Sequence, residues 1–97
     1  MKPSVSVAKH GSQVREILDR FRMRNPRLFG SVARGEDAEG SDLDILIEAS
    51  PGTTLYDLAR AELELEEILG CRVDVLTRAS LAPDIAGNVD ADLAPLP

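Results

Sequence analysis

Apolar positions along the chain repeat with two periods, about 3.6 and 2, and the switches between them mark the elements. Val14, Ile17, Leu18 and Phe21 recur at helical spacing behind Ser12, which suits an N-cap. That helix must stop before Pro26, because the residue preceding a proline is pushed out of the α region. Residues 1–11 read as a loosely ordered start, with at most a short extended piece at Val5-Ser6-Val7. Arg27-Leu28-Phe29 reads as a short strand ending at Gly30, Val32 to Gly35 as a brief helical turn, and Glu36–Ser41 as a polar loop. Asp42–Glu48 is a strand. Ser50-Pro51-Gly52 makes a turn, and Thr54 with Asp57 three residues later forms the opening of a helix. Leu55, Leu58, Ala61, Leu65, Ile68 and Leu69 lie on one stripe of that helix, and Gly70 sits where a C-terminal cap belongs. Arg72–Thr77 alternates as a third strand. The tail carries Leu81, Ile85, Val89 and Leu93, the spacing of a weak last helix before Pro95 and Pro97. The order helix–strand–strand–helix–strand–helix predicts an α/β or α+β fold with a small sheet.

Candidate chemistry concentrates between Gly30 and Asp44. Side chains alternate along a strand, so Asp42 and Asp44 project from one face while Leu43 points to the other. Two carboxylates so placed repel, and either share a proton or hold a cation. Gly30-Ser31 ends the preceding strand, where glycine lets the backbone approach a phosphate and exposed N–H groups favour anions. Hard oxygen ligands beside such a loop suit Mg²⁺, which uses one or two carboxylates plus substrate phosphates. Arg34 could neutralise a triphosphate through charge-assisted bonds. Asp74, inside an apolar strand, either lies on a solvated side or converges with Asp42 and Asp44 from a neighbouring strand. His10 has no second ligand near it, Cys71 reads as a packing residue and Tyr56 as packing or surface.

Composition narrows the classes. The length of 97 residues fits one domain spanning 1–97, with a core of Leu, Ile, Val and Ala because Tyr 1, Phe 2 and Trp 0 are the aromatic counts. No apolar run reaches the ~18–20 residues of a membrane span, and no signal-peptide stretch opens the chain. Cys71 has no internal partner, which points to a reducing cytoplasm. The net charge of −6 is asymmetric: Lys2, Lys9, Arg15, Arg20, Arg22, Arg24 and Arg27 face only Glu16 and Asp19 in the first 27 residues. An acidic remainder argues against broad duplex binding. The basic segment is solvated surface, or it meets a nucleic acid or an acidic face of this chain or a partner.

Gly30-Ser31, ten intervening residues, Asp42-Leu43-Asp44 and the later strand acid Asp74 resemble the polymerase-β-like nucleotidyltransferase superfamily. The Gly-Ser-x-Ala-Arg-Gly string and the run Ser-Asp-Leu-Asp-Ile-Leu-Ile look most like its minimal nucleotidyltransferases, the MntA-type antitoxins paired with HEPN toxins. The similarity runs from about residue 12 to 93. It implies a small mixed sheet with helices packed mainly on one face. It also implies transfer of AMP from Mg²⁺–ATP to a tyrosine on a HEPN ribonuclease, which silences it. By position, Asp42, Asp44 and Asp74 would be catalytic and hold the metal, two Mg²⁺ ions being expected. Gly30, Ser31 and Arg34 would bind the nucleotide. The implied partners are ATP and the HEPN toxin, with which the chain would assemble. No membrane and no direct nucleic-acid contact are expected. Two other readings stay open: an antitoxin that neutralises its partner by binding alone, and a transferase acting on a small molecule or RNA.

Overall fold

The computed structural model describes residues 1–81, 83 and 89–97. Four strands form a mixed sheet: β1 (Arg24–Phe29), β2 (Leu43–Glu48), β3 (Val73–Leu76) and β4 (Ala94–Pro95), in the order β3-β2-β1-β4. β1 is antiparallel to β2 and to β4, whereas β2 and β3 run parallel. Parallel neighbours need a crossover, and helix α3 (Leu55–Leu69) supplies it.

Helix α3 forms where its caps predict. The Thr54 Oγ1 accepts the Asp57 N–H at 3.1 Å, the Asp57 carboxylate accepts the Thr54 N–H at 3.0 Å, and Gly70 closes the other end at φ +70°. Ala61, Leu65 and Leu69 are buried, with Leu58 and Ile68 partly so. Leu55, expected on the same stripe, is instead exposed.

The sheet's helix-covered face carries Leu28, Leu43, Ile45, Ile47, Val73 and Val75. They pack in one core with Val7, Val14, Ile17, Leu18 and the α3 residues. At ~25 cal/mol per Å² this burial is the main favourable term in the fold. The opposite face is barer: Phe29 and Leu46 are buried there under Leu76, Leu81 and Leu93.

Four expectations need correction. Residues 1–11 are not a loose or extended start: α1 (Pro3–Lys9) is a helix. Pro3 presets its first turn, Ser6 and Val7 are buried, and the Ser6 hydroxyl donates to the Leu69 carbonyl at 2.7 Å. Second, α2 (Gly11–Arg20) begins one residue before Ser12, its cap position is His10, and no side chain caps it. The apolar stripe runs on from Val7 to Val14, so the two helices bury one continuous face. Third, β1 starts at Arg24, because a register irregularity between Arg24 and Arg27 accommodates Asn25 at φ +51° and the N–H-less Pro26. Fourth, the expected last helix, seen at α4 (Val89–Asp92), is not the end of the fold: the chain then adds β4, which pairs Ala94 with Leu28. Ile85 lies outside the described residues.

The outer edge of β3 is covered by side chains. Glu66 accepts the Val73 N–H at 3.0 Å and Glu62, one turn earlier on α3, accepts the Val75 N–H at 2.8 Å. Among the described residues no helix is long and apolar enough to cross a membrane.

Candidate active site

Register decides which acids meet. In the parallel β2–β3 pair Leu43 lies opposite Val73 and Asp44 opposite Asp74. Leu43, Val73, Ile45 and Val75 enter the helix-covered core, so Asp44 and Asp74 both project to the barer face. Asp42 precedes Asp44 by two residues at the entry to β2 and is half-buried. Of the two possibilities for Asp74, convergence on Asp44 is the one realised.

Helix α3 causes this convergence. Its buried stripe seats it on the sheet, and its Gly70 cap ends it just before β3 begins. The Arg72 carbonyl then accepts the Leu43 N–H at 2.8 Å, locking the first rung of the ladder. A slip of one residue would turn Asp74 into the core.

The Gly30 turn abuts the same acids. β1 pairs Phe29 with Asp44, and the chain then reverses at Gly30 with φ +78°. A Cβ at Gly30 would stand 2.6 Å from the Asp44 Oδ2, so the backbone angle favours glycine and any other residue would have to push the Asp44 carboxylate aside. Beyond it the chain winds into the expected helical turn. The Arg34 N–H donates to the Gly30 carbonyl at 3.2 Å and the Gly35 N–H to the Val32 carbonyl at 3.1 Å. Val32 is buried and anchors the turn. The leading N–H groups of such a turn, beginning at half-buried Ser31, have no partner within it and suit an anion.

The electrostatics register a cluster of anions. Burial pushes the Asp44 carboxyl up from 3.8 to about 6, and the charges of Asp74 and Asp42 and a hydrogen bond with Asp74 add to the rise. A divalent cation would offset the repulsion among these charges, and the donors are hard oxygens of the kind Mg²⁺ selects. Among the described residues no three His, Cys, Asp or Glu side chains stand as a ready-made metal cage. The acids fit a cation that takes its remaining ligands from nucleotide phosphates, rather than a resident structural ion.

Arg34 stands exposed at the end of the turn, with its Nε 3.3 Å from Glu36 and its Nη1 3.2 Å from Asp92. Exposed pairs of this kind are worth about 0–1 kcal/mol, so phosphate oxygens could displace them. Cys71 packs against the core, and burial, then Glu66 and Asp42, raise its thiol pKa, which disfavours a nucleophile. His10 meets Gln13 at 2.7 Å, and Tyr56 is exposed beside Arg60. An open cleft of about 290 Å³, lined by Arg20, Phe21, Arg22, Pro51, Gly52, Thr53 and Asp57, lies at the other end of the strands from the acids.

One residue escaped the sequence reading. Asp37 is buried although it sits in the polar loop, and its carboxylate accepts the Ser4 N–H at 2.9 Å. Its burial is a tertiary event with no local signature.

Comparison with known proteins gives the family and the fold. Residues 12–90 match the family described as "Nucleotidyltransferase domain". A Methanocaldococcus jannaschii protein provisionally named a protein adenylyltransferase is 49% identical over 67 residues, covering 69% of this chain and 72% of its own. The protein adenylyltransferase MntA of Thermococcus cleftensis is 40% identical over 75 residues, covering 77% and 76%. A solved structure provisionally described as a minimal nucleotidyltransferase superposes with TM-score 0.83 at 41% identity, covering 99% of this chain and 97% of that one. A crystal structure described as a toxin-antitoxin with AMP-PNP shares the fold, with TM-score 0.73 at 20% identity over 86% and 68% of the two chains.

Proposed function

The chain belongs to the nucleotidyltransferase domain family, and from that membership we propose that it transfers AMP from Mg²⁺–ATP to a tyrosine hydroxyl of a HEPN-type ribonuclease, silencing it as its antitoxin. The observation that carries the reading is the Asp44–Asp74 pairing beside Gly30, with the Asp44 carboxyl pushed up to about 6. The names of the two archaeal relatives supply adenylyl transfer, and the toxin-antitoxin description of the structural neighbour supplies the class of partner.

Each residue has a part. Asp42, Asp44 and Asp74 would hold Mg²⁺, two ions being the proposed complement. Mg²⁺ would neutralise charge that develops on the transferring and leaving oxygens. Gly30 keeps the space beside Asp44 clear, and the Ser31 turn receives phosphate oxygens on its leading N–H groups. Arg34 exchanges Glu36 and Asp92 for the triphosphate. The tyrosine oxygen attacks the α-phosphorus, the bond to the β-phosphate oxygen breaks, and pyrophosphate leaves. Asp74 completes the acid set and draws on the hydroxyl proton as the new O–P bond forms. A reducing cytoplasm suits both the unpaired Cys71 and a ribonuclease partner.

The test is incubation with α-labelled ATP, Mg²⁺ and the HEPN protein. Label on a toxin tyrosine, with loss of ribonuclease activity, is expected, and Asp74→Asn should give neither. Full inhibition without label would replace the transferase with an antitoxin that acts by binding alone. Label on RNA or a small hydroxyl compound would reassign the acceptor.

A further inference from the structure

The loop Glu36–Ser41 joins the phosphate turn to Asp42, yet it has no apolar side chain larger than alanine's to bury. Its place must come from polar contacts. The Glu36 N–H donates to the Ser31 carbonyl at 2.9 Å, tying the loop's start to the turn. The Ala38 N–H donates to the Ser41 hydroxyl at 2.9 Å and the Ser41 N–H to the Ala38 carbonyl at 3.0 Å, which close its far end. These bonds shape the loop locally and do not moor it to the body. Glu39 takes the Met1 amine at 2.9 Å, but both groups are well exposed and the pair is weak.

Asp37 is the exception. At 8% exposure it is the buried carboxylate among the described residues, and it receives the Ser4 N–H in the first turn of α1. Burial opposes its charge, but hydrogen bonds from Ser4 and from its own backbone, with the charge of Lys2, hold its pKa below the usual value. Helix α1 is itself fixed to the core through Val7 and to α3 through Ser6 and Leu69.

We propose that Asp37 is a positioning residue for the nucleotide site: it pegs the loop to α1, and thereby sets Ser31 on one side and Asp42 on the other. The α1 helix, outside the residues that touch nucleotide, becomes part of the site's scaffold. The activity readout of this inference rests on the adenylyl-transfer reading, whereas its exchange readout does not.

Two variants that each remove one tie of α1 separate positioning from bulk stability. Asp37→Ala deletes the peg, and Ser6→Ala deletes the bond to Leu69 without touching the loop. Asp37→Ala should quicken amide hydrogen exchange over residues 36–42 about tenfold and lower AMP transfer about 10–100-fold, the usual effect of misplacing a reacting group by an ångström. Ser6→Ala should lower the melting temperature comparably but leave both readouts within about twofold. Asp37→Asn, whose amide oxygen still accepts from Ser4, should restore exchange and transfer. If Asp37→Ala does not fold, Asp37→Ser, with a hydroxyl too short to reach, takes its place. Equal losses in Asp37→Ala and Ser6→Ala, or unchanged loop exchange in Asp37→Ala, would overturn the proposal. A wild-type chain that transfers no AMP would overturn the functional reading, and the exchange data would still decide the role of Asp37.

Discussion

Replacing Asp44 by asparagine should make the metal-free protein more stable at neutral pH, and the gain should vanish in acid. The folded Asp44 carboxyl titrates near 6 rather than 3.8, with burial the largest cause and the charges of Asp74 and Asp42 next. A rise of that size corresponds to about 3 kcal/mol of destabilisation once the group is ionised. Solvent reaches the half-buried side chain, so screening reduces the figure to about 1–2 kcal/mol. The sign follows from proton binding. Between pH 3.8 and 6 the folded protein holds a proton that the unfolded chain has released, so wild-type stability falls as pH rises through that window. Above it the full penalty is present, and below pH 3.8 both states are protonated. The substituted amide carries no charge and escapes the penalty. The comparison is thermal unfolding of both proteins, followed by circular dichroism from pH 3.5 to 8 in EDTA. At pH 7 the variant should melt roughly 5–10 °C higher, and the gap should close by about pH 4. A variant that melts at or below wild type at pH 7, or a gap independent of pH, would refute an anionic cluster strained by its own charge.

Three further outcomes follow from the same geometry. Mg²⁺–ATP at about 100 times its Kd should stabilise the wild type by about 2.7 kcal/mol, seen as a raised melting temperature that EDTA and Asp44→Asn both abolish. Gly30→Ala places a methyl 2.6 Å from Asp44 Oδ2 at φ +78°; it should cost about 1–3 kcal/mol of stability by denaturant titration and lose nucleotide binding by calorimetry. Thr54→Ala removes the α3 cap far from the acids and should cost about 1 kcal/mol while AMP transfer stays at wild-type level.

The sequence was legible wherever local chemistry sufficed. The Thr54–Asp57 box, the Leu65 stripe and the Gly70 cap are written in consecutive residues, so α3 could be read whole. The two-residue spacing of Asp42 and Asp44 was readable, and the structure puts Asp42 just ahead of β2, near enough for its charge to act on Asp44. Asp74 could not be assigned that way, because its partner depends on the register that the crossover creates. Helix α1 was missed because its Ser and Val residues favour a strand locally, and only packing against α3 makes it helical. Strand β4 is two residues long and includes a proline, so it exists only by leaning on Leu28. Asp37 in a run of polar residues resembles its solvated neighbours until the fold buries it.

The glutamates along the β3 border have a consequence for how another protein can approach. A polypeptide trying to extend the sheet there would find the amide hydrogens of Val73 and Val75 already taken by Glu66 and Glu62. Recruitment by strand addition is therefore closed on that flank. A protein meeting that flank is bound through side chains, so surface shape and charge decide the fit there and backbone pairing does not.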